Sequence, residues 1–255
     1  MQSVKLSVVI ITLNEERNIG RCIDSVVGAA DEIVVVDSFS TDATEAICKT
    51  KGVRFLQHPF ESYIAQKNVA LDAAAYDHVL ALDADEALTD ELRQSIMAIK
   101  HNWTHDGYSF SRLTNYCGSW IRHGGWYPDR KLRLWNRQKG RWAGVNPHDY
   151  VEMASGASYT VIAGDLLHYS FYSISDHLKI IDKYTTLQSQ GLFERGKRAG
   201  LIDLVVRPAF KFFRDYLLKA GFLDGFAGYC VAQLSAKATF VKYAKLRMLW
   251  KQSKV

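Results

Sequence analysis

The chain has 255 residues, 48% hydrophobic and 23% charged, the profile of an ordinary globular protein with length for one large core or a domain with a sizeable appendage. No uncharged apolar run approaches the ~20 residues needed to cross a bilayer, and four scattered cysteines give neither a CxxC pair nor zinc-like spacing, which points to a reduced compartment. The net charge of +5 hides an asymmetry: from Arg195 onward 13 Lys and Arg accompany 3 Asp, a balance of +10 that leaves −5 for residues 1–194. An acidic body with a basic tail implies an anionic partner for the tail.

The N-terminus carries one lysine and then "LSVVIITL", which runs straight into the polar "NEERN", not the layout of a signal peptide. A cytoplasmic protein is expected. "KLSVVIITL" (5–13) is continuous, apolar and β-branched, the pattern of a strand buried on both faces. The next segment puts Ile19, Cys22, Ile23, Val26 and Val27 on one helical face. "EIVVVDS" (32–38) is a second strand. "STDATEAICKTKG" follows as a Ser/Thr-capped helix stopping at Gly52. "VRFLQ" (53–57) is a third strand, residues 61–75 a helix, and "HVLALD" (78–83) a fourth strand. Thr89 is placed to cap the helix carrying Leu92, Ile96 and Ile99.

This alternation predicts an α/β fold, a mostly parallel sheet with helices on both faces. Ligands of such sheets bind beyond the carboxyl ends of the strands. Three polar clusters fall at those ends: Thr12-Leu13-Asn14-Glu15, Asp37-Ser38 and Asp83-Ala84-Asp85-Glu86. After residue 105 short strands alternate with the Gly- and Trp-rich "CGSWIRHGGWYPD". From Ser173 the pattern is helical to the end, with Pro208 at a start or kink. Two regions are therefore expected, 1–172 and 173–255.

"LDADE" is suited to a divalent cation, because hard cations favour carboxylate oxygens and share their shell with phosphates. Its plainer reading is a polar turn ahead of the Thr89-capped helix. "VVVDSFSTDAT" places Asp37 where an acid accepts a ribose or base hydrogen bond; helix capping also explains part of it. No GxGxxG follows the first strand and no GxxxxGK[ST] occurs, so neither dinucleotide nor P-loop chemistry is favoured.

Taken together, "SVVIITLNEERNI", "DEIVVVDSFSTDAT", "QKNVAL" and "LALDADE" resemble, in order and spacing, the family 2 glycosyltransferases of GT-A fold. Within that family the likeness is to bacterial enzymes that build lipopolysaccharide core and related surface glycans. The resemblance implies that Thr12, Asn14, Glu15 and Asp37 contact the nucleotide of a UDP-sugar and that Lys67 lies near its phosphates. It maps the family's D-x-D motif onto Asp83 and Asp85, with Asp85 ligating Mn²⁺ or Mg²⁺. Inverting transfer also needs a general base for the acceptor hydroxyl. Asp149 in "GVNPHDYVE" is the candidate, with Glu152 in reserve and Asp129 weaker. The sequence departs here from the better-known family pattern, a Glu-Asp pair ahead of a helix. His168 in "LLHYS" stands where related enzymes carry a histidine, and its imidazole would complete the metal shell; a structural histidine is the alternative.

"SWIRHGGWYPDRKLRLW" interleaves Arg122, His123, Arg130, Lys131 and Arg133 with Trp120, Trp126, Tyr127 and Trp135. It reads either as an acceptor loop or as a folded excursion with aromatic core residues. The tail sets Phe210, Phe212, Phe213, Phe222, Phe240 and Trp250 among its basic residues, which suits a helix in an anionic membrane interface; a packed helical subdomain is the alternative. The expected function is inverting, metal-dependent transfer of a sugar, glucose from UDP-glucose, onto a lipopolysaccharide-core or other membrane glycolipid or oligosaccharide at the inner face of the cytoplasmic membrane. No nucleic-acid partner is expected. A polyprenyl-phosphate sugar synthase and a non-catalytic membrane-associated scaffold stay open as alternatives.

Overall fold

The computed structural model describes residues 3–145 and 148–253. The chain forms two compact units, Met1–Arg112 with Asp129–Tyr169, and Leu113–Pro128 with Ser170–Val255. The Gly- and Trp-rich stretch thus belongs with the C-terminal helices and not with the strands on either side of it.

The first unit begins with the expected alternation: β1 (Leu6–Thr12), α1 (Ile19–Val26), β2 (Glu32–Asp37), α2 (Thr44–Thr50), β3 (Arg54–Gln57), α3 (Tyr63–Ala73), β4 (His78–Asp83), β5 (Glu86–Leu88) and α4 (Asp90–His101). Then come β6 (Gly107–Tyr116), which runs on into the second unit, β7 (Ser119–Ile121) within that unit, and, back in the first, β8 (Asp129–Asn136), β9 (Gly140–Val145), β10 (His148–Met153) and β11 (Tyr159–Phe171), whose last residues again fall in the second. One sheet runs β3-β2-β1-β4-β8-β6-β11-β5, with β7 on β6, while β9 and β10 form a separate ribbon. It is parallel from β3 through β4. Beyond that, β8 joins β4, β6 joins β8 and β5 joins β11 in antiparallel pairings.

Strand alternation divides β1 between two cores. Leu6, Val8 and Ile10 face Ile19, Cys22, Ile23 and Val26 of α1, together with Leu92 and Ile96 of α4. Val9 faces the other way, with Val34, Val36 and the Ala70-Leu71 turn of α3. A strand covered on both faces needs an unbroken apolar sequence, which is why "SVVIIT" shows no polar alternation. Side chains fix the helix starts: Ser62 Oγ accepts from Ala65 N at 3.1 Å and Thr89 Oγ1 from Leu92 N at 3.2 Å. Each satisfies an amide that the first helical turn leaves unpaired.

The second unit carries α5 (Ile174–Glu194), α6 (Arg207–Phe213) and α7 (Gly225–Gln252). Two π-helical segments, Ile202–Val206 and Arg214–Leu218, extend α6 at both ends. Its small core joins Tyr116, Ile121 and Val231 to Trp126 and Phe171. Among the described residues no helix is long and apolar enough to cross a membrane.

Candidate active site

Register brings the polar strand ends level. Thr12 pairs with Asp37, and Ile11, one residue earlier in β1, pairs with Asp83. The turns after β1 and β2 are stitched together. Asn14, at φ 53°, donates its N–H to Ser40 Oγ at 2.7 Å and accepts from Thr41 N at 2.8 Å. Asp37 is fully buried; it accepts from Ser40 N at 2.8 Å and, on its other oxygen, from the Ser40 hydroxyl. Thr12 Oγ1 is buried with no hydrogen-bond partner among the described residues. Burial raises the Glu15 carboxyl above its ordinary range, a hydrogen bond from Asn18 opposes this, and the Asp85 charge adds to it.

The end of β4 is a charged core. Lys67 of α3, 6% exposed, has Nζ 2.8 Å from Asp149 Oδ2 and 3.0 Å from Asp83 Oδ1. It donates to Asp83 Oδ2 at 3.3 Å, and Asp83 Oδ1 itself receives no aligned hydrogen bond. Arg133 Nη2 reaches Asp83 Oδ2 at 3.0 Å and the wholly buried Glu86 at 3.2 Å. The second oxygen of Glu86 accepts from Asp83 N at 2.9 Å. Burial alone would raise the Asp83 carboxyl; the charges of Lys67 and Arg133 outweigh it and hold it far below the ordinary range. The Trp142 ring backs this cluster, with Lys67 Nζ 4.5 Å and the Arg133 guanidinium 5.0 Å from its centroid.

Asp85 faces a different partner. The β5–β11 ladder sets His168 opposite Glu86, and Tyr169 N donates to Asp85 O at 2.9 Å. That register carries His168 Nε2 to 3.3 Å from Asp85 Oδ2. The two side chains best suited to a hard or borderline cation are therefore adjacent at the carboxyl edge of the sheet. Among the described residues no cluster of three His, Cys, Asp or Glu is present. This donor set fits a cation that takes the rest of its shell from substrate phosphates, as Mg²⁺ commonly does.

Strand alternation separates the two carboxylates of β10. Asp149 lies on the face of Val151 and Met153, which pack on the second core, whereas Glu152 is exposed on the other face. Asn146 and Pro147, which precede Asp149 in the sequence motif, lie outside the described residues. Asp129 is bound by Arg112 at 2.8 Å and Lys131 at 3.0 Å. Two members of the expected acceptor loop are instead interior: Trp135 is fully buried and Arg133 nearly so.

Sequence reasoning missed Arg133, Glu86 and Phe39. Arg133 shares the face of Trp135 in "RKLRLW", so alternation alone would have turned it inward. Glu86 stands within "LDADE", but its return to the Asp83 N–H depends on the turn's geometry. Phe39 is half exposed at φ 61°, a conformation costly for a bulky L-residue.

The family model for glycosyl transferase family 2 matches residues 7–162. A lipopolysaccharide core biosynthesis glycosyltransferase of Rhizobium meliloti is 31% identical, over 94% of this chain and 91% of that protein. An uncharacterized glycosyltransferase of Rickettsia typhi is 31% identical over 96% of this chain and 87% of that protein. Among solved structures, Staphylococcus aureus TarS aligns over 98% of this chain and 92% of its own at 16% identity and TM-score 0.46. Glucosyl-3-phosphoglycerate synthase of Mycobacterium tuberculosis, crystallised with Mn²⁺ and UDP-glucose, aligns over 44% of each chain at 26% identity and TM-score 0.37. With a family match across most of the sheet-bearing unit and relatives alike over nearly the whole chain, this protein belongs to glycosyltransferase family 2, and it is an enzyme with an α/β fold.

Proposed function

We propose that the enzyme moves a sugar, glucose from UDP-glucose, with inversion onto a lipopolysaccharide-core or other membrane-borne glycolipid. The observation that carries the reading is the level set of strand ends, with Asp85 and His168 adjacent on one side and the Lys67-Asp83-Asp149 cluster on the other. The name of the Rhizobium relative supports a lipopolysaccharide acceptor.

In this reading Thr12, Asn14, Glu15 and Asp37 hold the nucleoside, Thr12 through a buried hydroxyl that needs a partner. Asp85 and His168 hold Mg²⁺ or Mn²⁺. Bound there, the cation supplies neutralisation of the departing diphosphate. Lys67, held between Asp83 and Asp149 across from that pair, adds positive charge to the site. The acceptor oxygen attacks the anomeric carbon, its proton passes to Asp149, and the bond from that carbon to the phosphate oxygen breaks with its electron pair going to UDP. Lys67 fixes one oxygen of Asp149 and so orients the carboxylate.

That same contact favours a second reading. An acceptor that is already an anion, such as a polyprenyl phosphate, needs no base, and a carboxylate tied to lysine would then be structural. Calorimetric titration with UDP, with and without Mn²⁺, tests the shared core of both. Binding should strengthen with metal in the parent and lose that gain in Asp85→Asn. Equal affinity with and without metal in the parent rules out the assigned cation site.

A further inference from the structure

The second unit exposes an unusual amount of hydrocarbon in one segment. Ile202, Val206, Phe210, Phe213 and Leu217 are all exposed, and their spacing of four, four, three and four residues, close to one turn at each step, makes one helical stripe. Beside it Leu201 is 74% exposed. The stripe ends at a corner where Phe222, Leu223 and Phe226 also face outward, Phe226 being 76% exposed. Single exposed apolar residues are ordinary, but a contiguous patch of this extent marks an interaction surface.

The corner is rigidly built. Ala220 adopts φ 56°. A Cβ on Gly221 would lie 2.6 Å from Asp215 O, and one on Gly228 would lie 2.0 Å from Gly221 O. Only glycine allows the backbones to approach so closely. Asp215 is buried at this point and is tied to Lys211 at 2.6 Å and to Arg214 at 2.8 Å. The outward aromatics therefore project from a packed base.

Charge selects the occupant. From Arg195 to Lys219 there are seven Lys and Arg and two Asp, and both acids are already paired within the unit, Asp203 with Arg207 at 2.6 Å. Two copies of this face would bring like charges together, whereas an anionic bilayer offers hydrocarbon for the stripe and phosphates for the basic residues. We infer that residues 201–226 form a one-sided insertion surface that seats the enzyme in an anionic membrane leaflet. Only the first turn of the long helix α7, with Phe226, belongs to this surface; at its far end Trp250 packs on Phe193 at 4.7 Å and donates to Lys197 O at 2.6 Å. The purpose of the surface rests on the membrane-borne acceptor proposed above; its chemistry stands on the residues alone.

Flotation of the full chain with phosphatidylcholine vesicles, and with vesicles containing one quarter phosphatidylglycerol, tests the inference. Binding should favour the anionic vesicles and fall only in part at high salt. Leu223→Asp with Phe226→Asp should weaken it by about a hundredfold, since each side chain loses roughly a tenfold share of burial, with circular dichroism and thermal midpoint unchanged. In Phe226→Trp, brominated lipid should quench emission beyond the parent's. UDP binding without vesicles should be the same in the aspartate variant, so a failure of the transferase reading shows in UDP binding and a failure of this one in flotation. No binding of the parent to anionic vesicles at low salt overturns the inference. So does undiminished binding by the variant, or a dimer in solution that the variant dissolves while vesicles are ignored.

Discussion

The two units place charge and hydrocarbon in opposite ways. The first buries Lys67, Asp37, Glu86 and Arg133 against apolar cores; the second leaves a stripe of large apolar side chains in solvent. Neither arrangement is what stability alone selects. Buried ions cost several kcal/mol each unless paired, and exposed Phe and Leu forgo about 1.5–3 kcal/mol of burial apiece. Each departure is consistent with a partner that completes it, a phosphorylated sugar donor at the first and a lipid surface at the second.

The strongest test of the buried charges is on turnover. Asp149→Asn keeps shape and removes the proposed proton acceptor, so transfer to a neutral glycolipid should fall by roughly 10²–10⁴, with UDP binding and thermal midpoint retained. Full activity would instead favour the anionic acceptor. Next in size, Arg133→Met strands Glu86, whose other guanidinium partner, Arg112, is at 3.5 Å. Urea denaturation should show a loss of about 3–5 kcal/mol, the usual cost of orphaning a buried ion. Adding Glu86→Gln should recover much of it, because a neutral amide costs less to bury. If the single change is neutral, the first unit's charges are not coupled and the contrast between units fails.

How legible each unit was in the sequence follows from the range of its interactions. The parallel strands were readable because burial on both faces forces unbroken runs such as "SVVIIT", and the cap Thr89 acts within three residues of where it stands; Ser62, expected inside a helix over 61–75, instead caps one that begins at Tyr63. Asp83 and Asp85 were readable as strand-end acids. What depended on tertiary pairing was not: Arg133 meets Asp83 across 50 positions, and Asp149 meets Lys67 across 82. The tail's aromatics were legible as a set but not by role. Packing turned Trp250 toward Phe193 and left Phe226 outside, and composition carries no information on that choice.

Besides the paired carboxylate of Asp215, the second unit buries a neutral imidazole. His177 packs among Tyr116, Trp126 and Phe171, with Nδ1 3.2 Å from the Tyr116 hydroxyl. Burial lowers its pKa to about 4 and pushes that of Tyr116 up to about 12. Cys230 also packs on this cluster. Because the unfolded chain binds the proton near pH 6.5 and the folded one near 4, stability from this group is complete above about 6.5 and falls as pH drops toward 4. The loss should approach about 3 kcal/mol, at 1.36 kcal/mol for each unit of displacement. His177→Gln keeps a hydrogen-bonding side chain without the titration, so its denaturation midpoint should fall less between pH 7 and 4. An identical fall in both proteins would mean that the cluster admits the imidazolium. Asp31, lowered to about 2 by Lys100, Lys5 and the Leu6 amide against burial, acts below this window and does not obscure it.

The smallest effect concerns one of several apolar side chains exposed in the first unit, set apart by its backbone. Phe39 lies two residues beyond Asp37, at φ 61° and 52% exposed. A left-handed conformation costs a non-glycine residue about 1–2 kcal/mol. Glycine there would relieve that cost but lose about 0.5–1 kcal/mol through the freedom it adds to the unfolded chain. Phe39→Gly should therefore stabilise the fold by up to about 1.5 kcal/mol in urea titration, the difference between the two. If the ring is kept for the donor, as strain held at functional sites suggests, the same variant should bind UDP more weakly. Higher stability with unchanged UDP affinity would assign the ring no part in donor binding. Lower stability would show that Phe39 is held by packing, and its exposure would then resemble that of any isolated surface aromatic.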